Sequence, residues 1–284
     1  MNFAAIATEA AARQADIDER NAEYWSFLCG SQQARDLGVT DSSLASLKKF
    51  DDWYFASYPY LTRHIPFDAM RGQQVLEIGL GYGTVSQRIA EAGAIYHGLD
   101  ISPGPVAMAN DRMRQIGLRE GAVRGSALDS PFADGAMDMV ITIGCLHHTG
   151  DLQRALDEVW RVLKPGGRAV VMVYNALSYR RWHQHTVETN TYFRWWYLGE
   201  GSPPAWNLSA LAGYDTNING ETAPATAFVS IDHLRHMCGA FSAFSATLEN
   251  ISQEPPYASQ TREDLLQTAI PETSGLDLYA TLMK

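Results

Sequence analysis

Val75-Leu76-Glu77-Ile78-Gly79-Leu80-Gly81-Tyr82-Gly83-Thr84, followed by Ile95-Tyr96-His97-Gly98-Leu99-Asp100, decides how this chain is read. Val75, Leu76 and Ile78 form a short apolar run bounded by turn residues, which predicts a buried strand. Gly79, Gly81 and Gly83 then turn the chain, and Thr84 to Ala92, with Val85 and Ile89 one turn apart, predicts a helix. A strand, a glycine turn and a helix start put backbone N–H groups around a ligand at the carboxyl edge of a parallel sheet. Glycine suits the turn because it accepts positive φ and lets a ligand touch the main chain. Asp100 closes a second strand, where its carboxylate can accept hydrogen bonds from both hydroxyls of a ribose. The pattern predicts a nucleoside-cofactor site.

A dinucleotide fingerprint would place glycine three residues beyond the second one. Thr84 stands there instead, the glycines alternate as G-x-G-x-G, and an acidic residue, Glu77, sits within the first strand. Thr84 and Glu77 therefore disfavour an NAD-dependent oxidoreductase. In these residues the chain resembles the class I S-adenosylmethionine-dependent methyltransferases, whose first motif is E-x-G-x-G-x-G. The resemblance implies S-adenosyl-L-methionine as cofactor. Its methionine end would lie against Glu77, Gly79, Leu80, Gly81 and Gly83, and its ribose against Asp100, with Ile101 beside it. It also implies a Rossmann-like, doubly wound α/β sheet of seven strands, the seventh inserted antiparallel between the fifth and sixth.

The rest of residues 68–175 fits that core. Ser102-Pro103 opens a helix with Val106, Ala109, Met113 and Ile116 on one face. Residues 122–125 predict a third strand and 138–144 a fourth, nearly continuous in apolar character, as in a strand covered on both faces. Asp151 caps a helix carrying Leu152, Leu156, Val159 and Leu163 on one face. Pro165-Gly166-Gly167 stops it before a fifth strand over 168–174. This βα alternation specifies a parallel, doubly wound sheet. Gly125-Ser126-Ala127, Pro131-Phe132, Leu146-His147-His148 and Arg161-Val162-Leu163-Lys164-Pro165-Gly166-Gly167 resemble further family signatures, and add Ser126, Ala127, Leu128 and Gly144 to the implied cofactor set. Ser126 departs from the family, which usually has Asp there to accept the adenine amino group; Ser126, nearby Asp129 or a backbone carbonyl are the alternatives.

Flanking this core, residues 1–67 predict an N-terminal helical lid: one helix over 2–27, ending near Cys29-Gly30, and another over 44–63 with Leu47, Phe50, Tyr54 and Tyr58 at helical spacing. Packing against the sheet edge is the plainer reading; closure by Tyr54, Tyr58 and Tyr60 over cofactor and acceptor is the functional one. Residues 176–230 form an aromatic-rich insertion after the fifth strand. Residues 231–284 supply a last helix and strands over 243–251 and 275–284 that complete the same sheet.

The formal net charge of −10 disfavours tight non-specific nucleic-acid binding, which needs a basic surface. Cys29, Cys145 and Cys238 are odd in number and widely spaced, so neither a disulfide framework nor a zinc site is expected, and a reducing cytoplasm is the expected location. No signal peptide is expected, and no apolar run in the sequence is long enough to span a bilayer.

Methyl transfer from a sulfonium mainly requires an aligned nucleophile and excluded water. His148 and His147, after the fourth strand, are the base candidates, His148 the better; the alternative for each is an imidazole bonded to a loop carbonyl. His183 and His185 form H-x-H with Glu188 three residues later, but no His/Cys cluster accompanies them and no metal is expected. Tyr58, Tyr179, Trp182, His183 and Trp195 are the candidate substrate residues. The aromatic segment equally suits a packed subdomain or a subunit contact, which leaves a homo-oligomer open. Arg180 and Arg181 offer cations for a phosphate or carboxylate, or lie exposed. The leading expectation is methyl transfer to O, N or C of a small molecule, a natural product or sugar. The alternatives are an RNA or protein methyltransferase, or a non-catalytic S-adenosylmethionine-binding partner protein.

Overall fold

The computed structural model describes residues 3–26, 32–206, 211, 213–217 and 219–284. Helices α1 (Phe3–Ser26), α2 (Gln32–Asp36), α3 (Leu44–Ser57) and α4 (Leu61–His64) precede the sheet. The single helix expected over 44–63 is therefore broken. Pro59 lacks an N–H and disfavours helical backbone in the residue before it, and Tyr58 leaves the helix at φ −122°, ψ 62°. The other end of α3 is fixed by Ser43, whose side chain accepts the Ser46 N–H.

Strands β1 (Gln74–Ile78), β2 (Ile95–Asp100), β3 (Ala122–Arg124), β4 (Met137–Ile143), β5 (Leu163–Asn175), β6 (Phe228–Val229), β7 (Ala243–Glu249) and β8 (Asp277–Met283) form one sheet in the order β3-β2-β1-β4-β5-β8-β7. β6 is a two-residue pairing beside the end of β5. The first five strands run parallel, and β8 lies antiparallel between β5 and β7, as the resemblance implies. β5 begins earlier than expected. Leu163 already pairs with Met137 across a register irregularity, so Pro165-Gly166-Gly167 lies within the strand rather than before it.

The crossovers are α5 (Thr84–Glu91), α6 (Pro103–Gln115) and α7 (Leu152–Val162). The insertion contains α8 (Tyr179–Gln184) and α9 (Thr186–Leu198). α10 (Ile231–Met237), α11 (Arg262–Leu266) and α12 (Ile270–Ser274) follow. Alternation along the strands sends Leu76, Val140 and Val171 to one face, against Leu156 and Val159 of α7. Val75, Ile141 and Val170 go to the other, against Ile89 and Met113. Each such fully buried side chain stabilises the fold by about 1.5–3 kcal/mol.

Strand order reverses between β1 and β4, so their outgoing connections part to opposite faces and leave a crevice at the carboxyl edge. α3 is locked onto that edge by Arg112 of α6, which is fully buried. Its Nη1 and Nη2 each lie 2.8 Å from an oxygen of Asp51, and its Nε donates to the Tyr82 carbonyl at 2.6 Å. Among the described residues no helix is long and apolar enough to cross a membrane. Cys145 and Cys238 are free thiols; Cys29 lies outside the described residues.

Candidate active site

The crevice is a cavity of about 510 Å³. Its floor is the carboxyl edge of the sheet: Glu77, Gly79, Leu80, Gly81, Asp100, Ile101, Ser126, Ala127 and Gly144 line it. Gly79 (φ +83°) turns so closely on the next loop that a Cβ there would sit 2.5 Å from the Cys145 Cβ. Gly81 (φ +48°) faces open space, since a Cβ would meet nothing within 4 Å, and leaves bare backbone for a ligand. The Leu80 N–H donates to Asp100 Oδ2 and the Ser102 N–H to Oδ1, both at 2.8 Å. The carboxylate is thus fixed before any ligand arrives. Burial raises the Asp100 pKa above the ordinary carboxylate range, against those two bonds. Glu77 accepts from Ser86 Oγ and Tyr96 Oη, and burial pushes its carboxyl up to about 8.

Side chains from outside the sheet make the roof. Asp18, Asn21 and Trp25 project from one face of α1, at spacings of three and four residues. Gln14 Nε2 donates to the Thr149 carbonyl at 2.8 Å and Asn21 Nδ2 to the His148 carbonyl at 2.7 Å, which docks α1 on the loop after β4. Phe50, Trp53 and Tyr54 of α3, together with Tyr58, close another side, with Phe50 4.2 Å from the Tyr82 ring.

Comparison with known proteins matches residues 76–171, the stretch that builds the floor, to the methyltransferase domain family. This stretch is a class I S-adenosylmethionine-dependent methyltransferase domain. Demethylmenaquinone methyltransferase of Tropheryma whipplei is 35% identical over 104 residues, covering 37% of this chain and 43% of that protein. Phosphoethanolamine N-methyltransferase 2 of Caenorhabditis elegans is 31% identical over 141 residues, 48% of this chain and 28% of that one. This chain therefore spans less than half the length of either relative. Among solved structures, Haemonchus contortus phosphoethanolamine N-methyltransferase 2 in complex with S-adenosyl-L-methionine superposes with a TM-score of 0.52 at 18% identity, over 81% of this chain and 52% of that one; this is a likeness of fold.

Within the methyltransferase domain the two adjacent histidines are unlike. His147 is buried with neither ring nitrogen partnered, and burial, then its neighbour His148, holds its pKa well below the usual range. Its ring packs at a tilt against Tyr174, 4.1 Å between centroids, and does not line the cavity. His148 lines it. Its Nδ1 is 2.9 Å from the Ala225 carbonyl, which can only accept, so Nδ1 carries a proton, while Nε2 makes no hydrogen bond. Asp215 Oδ2 is 3.4 Å from that Nε2 and also receives the Tyr174 hydroxyl at 2.9 Å.

The remaining expected residues divide. Tyr58 lines the cavity, whereas Gly83 caps α5 and packs against Arg112, and Leu128 is buried in the core beside the sheet. Tyr54 also reaches the cavity, but Tyr60 is core. The insertion turns most of its aromatics elsewhere. Tyr179 packs with Ile251, Leu265 and Leu276 and donates to Glu254, Trp182 is exposed beside Phe193, and Trp195 packs against Tyr192. His183 is exposed while His185 is buried, so the H-x-H pair does not converge, and no group of three metal-ligating side chains forms among the described residues. Neither arginine is free on the surface. Arg180 pairs with Glu254, and the Arg181 guanidinium is sandwiched 3.9 Å from the Trp206 ring and 4.1 Å from Phe228. Among described residues of the insertion, Tyr214 and Asp215 are what reach the cavity. No periodic pattern marks these two, whereas the Asp18, Asn21, Trp25 stripe was open to a helical-spacing search.

Proposed function

We propose that this protein transfers a methyl group from S-adenosylmethionine to an oxygen, nitrogen or carbon of a small, uncharged or cationic acceptor, with residues 1–67 acting as a lid. The residues present fit the cofactor: side-chain-free backbone at Gly81, a carboxylate at Asp100 with both oxygens pre-positioned, and buried Glu77 near the first turn. When bound, it supplies a methyl group on a sulfonium leaving group. The protein's part is to bind, align and dry the reactants.

The observation that carries the reading is the buried Nε2 of His148 on the cavity wall, which makes no hydrogen bond and lies 3.4 Å from the Asp215 carboxylate. It takes the proton of an acceptor hydroxyl or ammonium as the nucleophile forms. The adjacent Asp215 carboxylate stabilises the resulting imidazolium, and the Ala225 carbonyl keeps the ring in register. Asp18, Asp100 and Asp215 line the cavity, and no lysine or arginine does among the described residues. Such a lining repels phosphate and favours neutral or positive groups against Trp25, Trp53 and Tyr214. An uncharged ring compound, such as the one named in the first relative, suits it better than the phosphate-bearing amine named in the second.

Titration with S-adenosylhomocysteine, with NAD as comparator, tests the cofactor; micromolar binding of the former alone is expected. Turnover is then assayed on phenolic, amine and phosphorylated acceptors. His148→Ala should lower turnover by about 10²–10⁴-fold, the usual contribution of a general base, while still binding S-adenosylhomocysteine. Binding with no turnover of any acceptor, from a cell extract included, would identify a cofactor-binding partner protein instead.

A further inference from the structure

A nucleoside whose ribose were held at Asp100 would have its base in the same cavity, which Ile101 and, in the loop after β3, Gly125, Ser126 and Ala127 also line. The exocyclic amino group of adenine needs an acceptor there, and among the described residues of that loop that line the cavity the only polar side chain is the short, uncharged Ser126 hydroxyl. Asp129, the other carboxyl of that loop, is exposed and does not line the cavity. A carboxylate nevertheless arrives, from the roof. Asp18 of α1 lines the cavity with its Oδ2 3.4 Å from Ser126 Oγ.

The Ser126 hydroxyl accepts the Leu128 N–H at 3.2 Å, which leaves its single proton for Asp18. On the other side, Gln14 Nε2 donates to Asp18 Oδ1 at 2.8 Å while bonding the Thr149 carbonyl at the same distance. One oxygen of Asp18 is thus held within α1 by Gln14, which itself bonds the loop after β4, and the other is turned toward the loop after β3. A surface carboxylate serving only solubility would not be held from both sides of a cavity.

We propose that Asp18 is the specificity-determining acceptor for the adenine amino group, so that the base-binding end of the cofactor site is completed by α1 and not by the sheet. This rests on the cofactor reading above. It makes the lid part of the cofactor site: α1 carries Asp18 toward the cofactor and Trp25 against His148, at 4.8 Å between rings, on one rigid helix. Binding at one end therefore favours the arrangement needed at the other.

The test is a cycle of two proteins and two ligands, wild type and Asp18→Ala against S-adenosylhomocysteine and S-inosylhomocysteine. The second ligand carries a carbonyl oxygen where adenine carries the amino group. Wild type should prefer the adenine ligand by roughly ten- to hundredfold, the worth of a charge-assisted hydrogen bond, and Asp18→Ala should erase that preference with little change in inosyl affinity. Adding Ser126→Asp to Asp18→Ala should restore it. Equal weakening of both ligands, or an unchanged preference, would overturn the assignment, since loss of helix docking cannot tell one base from the other. If wild type binds neither ligand, the cofactor reading itself fails along with it.

Discussion

The floor of the cavity is made largely by backbone and its roof largely by side chains. Below, left-handed glycines and two N–H groups on Asp100 shape a surface that tolerates little substitution, because the ligand meets main chain. Above, α1 and α3 present Asp18, Trp25, Phe50 and Trp53, each replaceable without bending a strand. The two halves meet at few points. The Arg112–Asp51 pair joins α3 to the glycine turn, and two amide-to-carbonyl bonds join α1 to the loop after β4. In the proposed function, a floor of rigid backbone thus holds the cofactor while side chains hung from it complete the site.

The strongest way to break this division is at the joint. Arg112→Met strips a buried partner from Asp51 and should lower unfolding free energy by about 3–5 kcal/mol, read from urea unfolding. A cost below about 1 kcal/mol would show that α3 docks without the pair. Asp100→Ala removes a carboxylate from the floor and should weaken S-adenosylhomocysteine binding by about 1–3 kcal/mol in calorimetry. An unchanged affinity would rule out the ribose assignment.

Smaller effects sharpen the comparison. Burial holds the Glu77 carboxyl at about 8, so the folded protein keeps a proton that the unfolded chain sheds near 4.5. Its contribution to stability is full below pH 4.5 and is lost as pH rises toward 8. Glu77→Gln should flatten the fall of stability with pH across that window, by at most about 1.4 kcal/mol per pH unit. Asp277, also raised by burial, to about 7, retains part of the slope. An identical pH profile in the variant would show that Glu77 is ionised in the fold. Last, Asn21→Ala leaves the His148 carbonyl unpaired and should cost about 1 kcal/mol in thermal or urea unfolding. No change would mean that α1 is held by its other contacts.

The same division explains what could be read before the structure. The floor is local: a strand, three glycines and an aspartate at the next strand end lie within 26 residues, from Val75 to Asp100, and each step has its own backbone chemistry. The roof is not. Tyr214 and Asp215 meet His148 across more than sixty residues without any repeating pattern, and only folding of the insertion brings them together. Aromatic density marks burial as readily as binding: Tyr179 packs with Ile251, Leu265 and Leu276, Trp195 against Tyr192, and Trp182 lies beside Phe193, while Trp206 and Phe228 cage Arg181. The Pro59 break in the second helix was visible in the sequence, but the apolar spacing of Leu47, Phe50, Tyr54 and Tyr58 outweighed it.

β6 is the smallest element of the sheet. Tyr174 opposite Phe228 and Asn175 opposite Val229 pin the departure and return of the chain side by side, so everything from 176 to 227 is a loop closed at its base. Closure entropy grows only with the logarithm of loop length, and doubling such a loop costs about 0.6 kcal/mol. The two-residue pairing is thus the socket of the segment that carries Tyr214 and Asp215 to the cavity.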